Sequence, residues 1–435
     1  MRISVIGCGY LGAVHAASMA KLGHEVVAVD VDPVKIERLA AGDAPFFEPG
    51  LPEILSEAIE SGRIRFTTDM SEVAGSRVHF VAVGTPQGPT GAADLTYVDA
   101  AVAALTQYVA ADEFVVGKST VPVGTAARLA TSLSAAVPGA TLVWNPEFLR
   151  EGFAVQDTIS PDRLVYGVPS GAAGESAVAA LDEVYATTLA EGTPRLVVDL
   201  ATAELVKVSA NAFLATKISF INAMAEIAEV VGADVTALAD AIGHDARIGR
   251  KFLNAGLGFG GGCLPKDIRA FQARATELGV GEALAFLADV DAINLRRRAH
   301  VVTLAEDLLG GDVTGKHVAV LGLAFKPNSD DVRDSPALDI TARLHELGAV
   351  VSAYDPEANG TAARIHPEVH YVDSADEALR GADLVLVLTE WNEFRQLDPA
   401  VVAGLVERPV VVDGRNCLDR DAWTAAGFTV RGMGR

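Results

Sequence analysis

Short runs of aliphatic and β-branched residues, each ending in a polar or glycine-containing loop, dominate the first part of the chain. The first run, Arg2–Ile6, is followed by a helical stretch and by a second run that ends in an acid at Asp30. This order of strand, helix and strand is typical of a βαβ unit in a parallel sheet. Further runs predict strands at 78–83, 114–118 and 141–144. We therefore predict a doubly wound sheet over residues 1–198.

The pattern changes in the middle of the chain and then returns. From about residue 199 to 310, apolar residues recur at helical spacing in Ala-rich and Glu-rich stretches, which predicts a helical middle domain. Beyond residue 315 a strand runs into a glycine turn at Gly322, a later strand ends in Asp355, and strands at 382–388 and 409–413 complete a sheet. The predicted fold class is α/β, with two Rossmann-like doubly wound domains, 1–198 and 311–435, joined by a helical domain, 199–310.

The first glycine turn has the spacing of a dinucleotide-binding fingerprint. Gly7, Gly9 and Gly12 follow the first strand in the order Gly-x-Gly-x-x-Gly, and Asp30 ends the second strand 18 residues after Gly12. The glycines permit a tight turn and close approach of a pyrophosphate, and the acid is placed to bind a ribose hydroxyl. Because a carboxylate disfavours a 2′-phosphate, we predict NAD rather than NADP.

The turn of the second sheet has a different composition. It reads Gly322-Leu-Ala-Phe-Lys-Pro327, so bulky Phe325 and Lys326 lie where a pyrophosphate would approach the backbone. A ligand other than a dinucleotide is expected there. Lys326, together with Arg415 at the end of a later strand, offers cations for a nucleotide diphosphate.

Cys263 ends a glycine run, Gly258-Phe-Gly-Gly-Gly-Cys263, just before Leu-Pro-Lys-Asp267. Pro265 suits a first helical turn, so the thiol is predicted at the positive end of a helix dipole, where it ionises more readily. A buried structural cysteine is the alternative. We favour a nucleophile.

Other polar residues are of the kinds that could assist such a nucleophile in catalysis. Lys207 and Asn211 share a helix face, either as a solvated stripe or as stabilisers of an oxyanion. Polar loops follow the predicted strands at 84–86, 119–124 and 145–152. The candidate catalytic residues are Cys263, Lys207, Asn211, Asp267, Thr120 and Glu147, with Glu151 in the same loop as Glu147.

A nicotinamide site and a thiolate together permit a four-electron oxidation. Thiolate addition to an aldehyde gives a thiohemiacetal, a second hydride transfer gives a thioester, and hydrolysis releases a carboxylate. In this scheme Asp267 orients water or moves a proton, and Glu147 acts as a base in hydrolysis.

Composition excludes several partners. The 435 residues contain 57 Asp and Glu against 35 Lys and Arg, a net charge of −22, so nucleic acid is not an expected partner. The three cysteines lack metal-site spacing and disulfide density, which fits a reducing cytoplasm and predicts no metal. No apolar run reaches the roughly 18 residues of a membrane helix, and the first 20 residues lack the basic start of a signal peptide.

The chain resembles the UDP-glucose and GDP-mannose dehydrogenase superfamily over almost its whole length. The motifs that carry the resemblance are Val5–Gly12, Val83–Pro86, Ser119–Thr125, Asn145–Gly152, the Lys207 and Asn211 helix, Gly258–Asp267 and Phe325–Pro336. The resemblance implies oxidation of UDP-glucose to UDP-glucuronate with two NAD+ and one water, with Cys263 as the nucleophile.

The resemblance also implies ligand contacts. The implied NAD contacts are Leu11, Asp30, Lys35, Thr85, Thr120, Glu151, Lys266 and Arg333, in addition to the glycine turn. The implied substrate contacts are Glu147, Phe148, Leu149, Arg150, Glu151, Lys207, Asn211, Phe252, Leu253, Asn254, Ala255, Gly256, Gly260 and Lys326. Arg247 matches an arginine that reaches the substrate of a neighbouring subunit, which implies a homodimer built on the long middle helix.

One departure from the family pattern affects the catalytic loop. Many relatives carry Ser-Cys-Phe-Pro-Lys-Asp where this chain has Gly262-Cys263-Leu264-Pro-Lys-Asp, which bears on loop stiffness and sugar preference. Three alternatives stay open at this point: the same chemistry on GDP-mannose or a UDP-N-acetyl-hexosamine, a two-electron hydroxyacid dehydrogenase, and a noncatalytic NAD-responsive binding protein.

Overall fold

The computed structural model describes residues 1–435, and the chain divides into two compact units. The N-terminal unit comprises residues 1–210 and 270–281, and the C-terminal unit comprises residues 211–269 and 282–435. The finer division at 198/199 and 310/311 stays a prediction.

The N-terminal unit is built on an eight-stranded sheet of order β3-β2-β1-β4-β5-β6-β7-β8. Its strands are β1 (Arg2–Ile6), β2 (Glu25–Val29), β3 (Ile64–Thr67), β4 (Val78–Val81), β5 (Phe114–Gly117), β6 (Thr141–Trp144), β7 (Leu164–Gly167) and β8 (Arg195–Val198). Every neighbouring pair is parallel except β6 and β7, which meet antiparallel at Trp144 and Gly167. The loops after β1, β4, β5 and β6 therefore lie along one edge.

Helices cover both faces of this sheet. They are α1 (Tyr10–Lys21), α2 (Pro33–Ala40), α3 (Leu51–Glu60), α4 (Thr96–Leu105), α5 (Thr125–Ala136), α6 (Ala154–Ile159), α7 (Ala172–Val184) and α8 (Ala186–Ala190), with a 3-10 turn at Met70–Val73. Because side chains alternate along a strand, neighbours such as Val115 and Val116 enter two different cores. Burial on both faces explains why the strands read as continuous apolar runs.

The central region is helical. Helix α9 (Leu200–Val231) is followed by α10 (Val235–Gly243), α11 (Leu264–Glu277), a 3-10 turn at Gly281–Leu284 and α12 (Phe286–Leu308). Asp234 caps α10 by accepting hydrogen bonds from the amides of Thr236 and Ala237, which satisfies two donors at that end of the helix.

The C-terminal unit contains a six-stranded parallel sheet of order β11-β10-β9-β12-β13-β14. Its strands are β9 (His317–Leu321), β10 (Val350–Tyr354), β11 (His370–Tyr371), β12 (Leu384–Val387), β13 (Val410–Asp413) and β14 (Thr429–Gly432). The remaining helices are α13 (Pro336–Glu346), α14 (Asn359–Ile365), α15 (Ala375–Leu379), α16 (Asn392–Arg395), α17 (Pro399–Ala403) and α18 (Arg420–Ala425).

Alternate residues of β9 and β12 again fill two cores. Val320 and Leu386 pack on one face, whereas Leu321 and Val387 pack on the other. The predicted α/β class, with two Rossmann-like sheets and a helical central region, is confirmed. None of the helices combines the length and apolarity that crossing a membrane requires.

Candidate active site

The first glycine turn lies between β1 and α1 and is shaped to admit a ligand. Gly7 has φ +92°, and a Cβ at Gly12 would lie 1.7 Å from the carbonyl oxygen of Gly7. Glycine is therefore required at both positions. A Cβ at Gly9 would meet no atom within 4 Å, so open space lies in front of this turn at the N-terminus of α1. These residues fit the pyrophosphate of a dinucleotide.

Asp30 follows β2 and is held beside the same turn. Its carboxylate accepts hydrogen bonds from the amide of Cys8 (2.7 Å) and the ammonium of Lys35 (2.9 Å). Burial raises the pKa of Asp30, but these bonds and one from the amide of Asp32 outweigh burial and lower it overall. The carboxyl is thus held ionised next to the turn, as recognition of a ribose hydroxyl requires.

The loops after β4 and β5 are tied together at two predicted site residues. The hydroxyl of Thr85 donates to the carbonyl of Thr120 (2.8 Å), and that of Ser119 donates to the carbonyl of Val83 (2.6 Å). Both loops follow strands adjacent to β1 or β4 in the sheet, so they lie at the edge where the dinucleotide is expected.

The loop 145–152, after β6, places a carboxylate against a buried lysine. The ammonium of Lys207 lies 3.0 Å from the Glu147 carboxylate, with both side chains largely buried. Glu147 also accepts from the amide of Leu149 (2.8 Å). The ring of Phe148 lies beneath the Arg163 guanidinium, 3.9 Å from its centre. Arg150 is exposed and paired with Asp157.

In the C-terminal unit, Cys263 is exposed and immediately precedes α11, as the sequence predicts. Its carbonyl accepts from the amide of Asp267 in the first turn (2.9 Å). The buried Asp267 carboxylate binds the amide group of Asn211 (2.6 Å) and the ammonium of Lys266 (2.7 Å). Three predicted site residues therefore meet one helical turn from the thiol.

The other two cysteines are poor nucleophiles. Burial, reinforced by Asp30 for Cys8 and by Asp413 for Cys417, raises the pKa of both thiols. No disulfide joins any of the three. Exposure and position at a helix start distinguish Cys263 from them.

The glycine run before Cys263 is closely covered by the segment 325–336. A Cβ at Gly260 would lie 2.5 Å from the carbonyl oxygen of Asp334, and one at Gly261 would lie 2.7 Å from the Phe325 ring. A Cβ at Gly262 would overlap the Arg333 guanidinium at 2.4 Å. Glycine at position 262 therefore leaves room for the Arg333 guanidinium next to Cys263.

The acid after β10 has a different task from Asp30. The Asp355 carboxylate accepts from the amides of Leu323 (2.7 Å) and Ala324 (3.0 Å) and from the Trp391 indole (3.1 Å). The amides of Glu357 and Ala358 donate to its other oxygen, so protein groups occupy both carboxylate oxygens, which supports a ligand other than a dinucleotide in this sheet. The Lys326 ammonium lies 5.1 Å from the centre of the Phe325 ring.

Arg415 crosslinks loops of the C-terminal unit. Its guanidinium donates to the carbonyls of Leu388 (2.8 Å), Phe325 (3.1 Å) and Gly258 (3.4 Å). It therefore holds the glycine run in position beside the second sheet, and its direct contact with a substrate stays a prediction.

The predicted substrate segment 252–256 is fixed largely through its backbone. The amide of Gly256 donates to Asn222 (2.9 Å), and the side chains of Leu253 and Ala255 are buried in a small core. Phe252 has φ +67°, a conformation that costs free energy in a non-glycine residue. Asn254 accepts from Arg250. Contact between this segment and the substrate stays a prediction.

Three family models cover most of the chain. They are the NAD-binding domain (residues 1–189), the central domain (201–296) and the UDP-binding domain (319–420) of the UDP-glucose/GDP-mannose dehydrogenase family. This chain belongs to that family. The match also accounts for the two different turns, since its first sheet corresponds to a dinucleotide-binding domain and its second to a UDP-binding domain.

Relatives of this dehydrogenase are similar over their full length. UDP-glucose 6-dehydrogenase TuaD of Bacillus subtilis is 42% identical, covering 100% of this chain and 93% of its own. The UDP-glucose 6-dehydrogenase of Rhizobium meliloti is also 42% identical, covering 100% of both chains. A solved UDP-glucose dehydrogenase of Pyrobaculum islandicum is 40% identical, with a TM-score of 0.90 over 100% of this chain and 97% of its own.

Sequence reasoning missed two acids that hold the dehydrogenase's site loops. Glu204 accepts from the amides of Gly124 (2.8 Å) and Ala126 (2.6 Å) at the start of α5.

The second acid is Glu48. It accepts from the amides of Gly152 (2.6 Å) and Ala154 (2.7 Å) and from the Tyr10 hydroxyl. The backbone amides that these acids bind lie more than 70 residues away in the chain, so no local pattern reveals them.

Proposed function

We propose that this chain oxidises UDP-glucose to UDP-glucuronate with two NAD+ and one water, through covalent intermediates on Cys263. The main support for a covalent route is the exposed Cys263 thiol at the start of α11. It lies one turn from Asp267, whose carboxylate binds Asn211. Relatives about 40% identical are UDP-glucose 6-dehydrogenases, which supports this sugar. A two-electron reaction would leave Cys263 without a role.

The glycine turn and Asp30 hold the dinucleotide, and NAD+ bound there supplies the hydride acceptor for both oxidations. In the first oxidation the primary alcohol loses a hydride and its hydroxyl proton. Lys207 and Asn211, one turn apart on α9, stabilise the alkoxide and later the oxyanions by charge and hydrogen bonding. The Cys263 thiolate adds to the aldehyde carbon, and loss of the second hydride from the thiohemiacetal gives a thioester.

Hydrolysis completes the sequence. Water adds to the thioester carbon while Glu147 accepts its proton, and cleavage of the carbon–sulfur bond returns the thiolate and releases the carboxylate. Asp267 orders Asn211 and Lys266 beside the thiol, as its hydrogen bonds indicate. The uridine diphosphate is bound by the turn at Gly322, the segment 252–256 and the cation of Lys326, supported by the match of residues 319–420 to a UDP-binding domain.

Replacing Cys263 by Ala tests the covalent route. The variant is expected to form no UDP-glucuronate, because neither the thiohemiacetal nor the thioester can form, while NAD still binds. Uronate by chromatography and NAD affinity by fluorescence titration are the two measurements. A fully active alanine variant would exclude this mechanism.

The assembly and setting are part of the same proposal. Phe213, Phe220 and Ile227 are exposed at a spacing of seven along α9, which supports a homodimer with this helix at the interface. The exposed Arg247, paired only with nearby Asp245, is available to reach a partner's substrate. The boundaries 198/199 and 310/311 separate the three functional modules, and the thiols support a reducing cytoplasm.

A further inference from the structure

Lys118, the residue after β5, has a buried ammonium to which the proposed mechanism gives no role. Its side chain lies inside the N-terminal unit with 6% exposure. The ammonium donates to the side-chain oxygen of Asn145 (2.9 Å) and lies 3.4 Å from the Asn145 carbonyl and 3.3 Å from the Tyr185 hydroxyl. A buried cation is costly unless it is hydrogen-bonded, and here its partners belong almost entirely to one residue of a site loop.

Asn145 is the first residue of the loop that carries Glu147. Besides accepting from Lys118, its side-chain oxygen accepts from Tyr185 (2.7 Å), and its amide group donates to the Val165 carbonyl (2.9 Å). Its backbone amide donates to Gly117 (2.8 Å). The start of the loop is therefore fixed from several directions, two residues before the carboxylate that meets Lys207.

The groups around Lys118 leave Glu147 as its principal charged neighbour. From α1, His15 is buried and its ring nitrogens have no protein partner, and burial lowers its pKa so that it is neutral. Burial raises the pKa of Tyr185, which is also neutral. Asp157 and Arg163 also line the cavity of about 40 Å³ that Lys118 and Glu147 line, and the Phe80 ring lies 5.6 Å from the ammonium.

This environment makes Lys118 titratable near neutral pH. Burial lowers its pKa to about 8, and the negative charge of Glu147 acts in the opposite direction. The side chain is charged at pH 7 and loses its proton as the pH rises through 8.

We propose that Lys118 is a positioning residue for thioester hydrolysis, in which its ammonium, through Asn145, holds the loop that presents Glu147 to the attacking water. This inference rests on the proposed role of Glu147 as the base. In the step concerned, the water oxygen bonds to the thioester carbon, its proton passes to Glu147, and the sulfur leaves as the Cys263 thiolate. Lys118 touches none of the reacting atoms.

A Lys118→Met variant separates hydrolysis from oxidation. Rapid mixing with UDP-glucose and NAD is expected to give a burst of two NADH per site, followed by turnover slowed about 100-fold, the scale of a misplaced catalytic group. The thioester should accumulate on Cys263 and appear by intact-mass spectrometry. The matched control is Lys21→Met, which removes a surface lysine paired with Glu57 and should match the unmodified protein.

The unmodified protein offers a second test that does not depend on a variant's folding. Raising the pH from 7 to 9 should slow hydrolysis, whereas hydroxide chemistry alone would speed it. Lys118→Arg keeps a permanent positive charge, and the adjoining cavity offers space for the larger side chain. In this variant the rate of hydrolysis should not fall between pH 7 and 9.

Glu147→Gln distinguishes the two possible failures. If it accumulates the thioester but Lys118→Met does not, and hydrolysis in the unmodified protein does not slow above pH 8, the inference about Lys118 is overturned. If Glu147→Gln itself accumulates no thioester, the proposed role of Glu147 fails instead.

Discussion

Two predicted site residues, Cys263 and Asp267, lie one helical turn apart at the start of α11, and a third, Asn211, reaches Asp267 from α9. Cys263 is exposed, Asp267 is buried one turn later, and Asn211 is hydrogen-bonded to that acid. An exposed thiol at a helix start ionises more readily than the buried thiols elsewhere in the chain. The role of Asn211 as a stabiliser of an oxyanion at the sulfur-bound carbon stays a prediction.

Gly262 leaves space for the Arg333 side chain, and this can be tested by substitution. Because a Cβ there would overlap the Arg333 guanidinium, Gly262→Ser should displace that side chain. Since Arg333 is a predicted NAD contact, the KM for NAD should rise several-fold while the KM for UDP-glucose changes little. Steady-state kinetics measure both.

Gly360→Ser is the matched control, since a Cβ at Gly360 meets no atom within 4 Å. Its kinetics should equal those of the unmodified enzyme. An unchanged KM for NAD in Gly262→Ser would show that the position of Arg333 does not govern dinucleotide binding.

Among helices and strands, the sequence predicts those elements whose bounds depend on residues close together in the chain. Strands β1 and β6 have the predicted bounds, and α11 begins directly after Cys263, because apolar runs, glycine turns and a first-turn proline act within a few residues. Strands β3, β7 and β8 were not predicted: Ile64–Thr67 is interrupted by the exposed Arg65, and Arg195–Val198 is largely exposed. The acids that hold the loops act between distant segments, so the sequence does not reveal them.

Glu204 is expected to stabilise the start of α5. Its carboxylate satisfies two amides at the start of α5; burial raises its pKa, and these amides oppose the rise. Glu204→Ala should cost about 2 kcal/mol, the scale of hydrogen bonds to a charged group, and should raise the KM for NAD by loosening the Thr120 loop. Thermal unfolding and kinetics provide the readouts.

Glu226→Ala, on the same helix, removes a partly exposed ion pair with Arg296 and is the control, expected to change stability by less than about 1 kcal/mol. Equal thermal midpoints for the two variants would contradict the capping role of Glu204.

At the scale of the whole molecule, one sheet architecture serves two ligands. Asp30 and Asp355 occupy equivalent strand ends, yet Asp30 faces a turn with open space at Gly9, whereas both oxygens of Asp355 accept hydrogen bonds from protein groups. The net charge of −22 means that both anionic ligands depend on local amides and cations rather than on the overall field. The two family models for NAD and UDP binding match this division.

In the proposed reaction, one active site carries an alcohol through four electrons without releasing the aldehyde. The most direct measurement is the ratio of NADH formed to UDP-glucose consumed, with absorbance and chromatography on the same sample. We expect two NADH and one UDP-glucuronate for each UDP-glucose consumed. A ratio of one, with the aldehyde as the product, would contradict it.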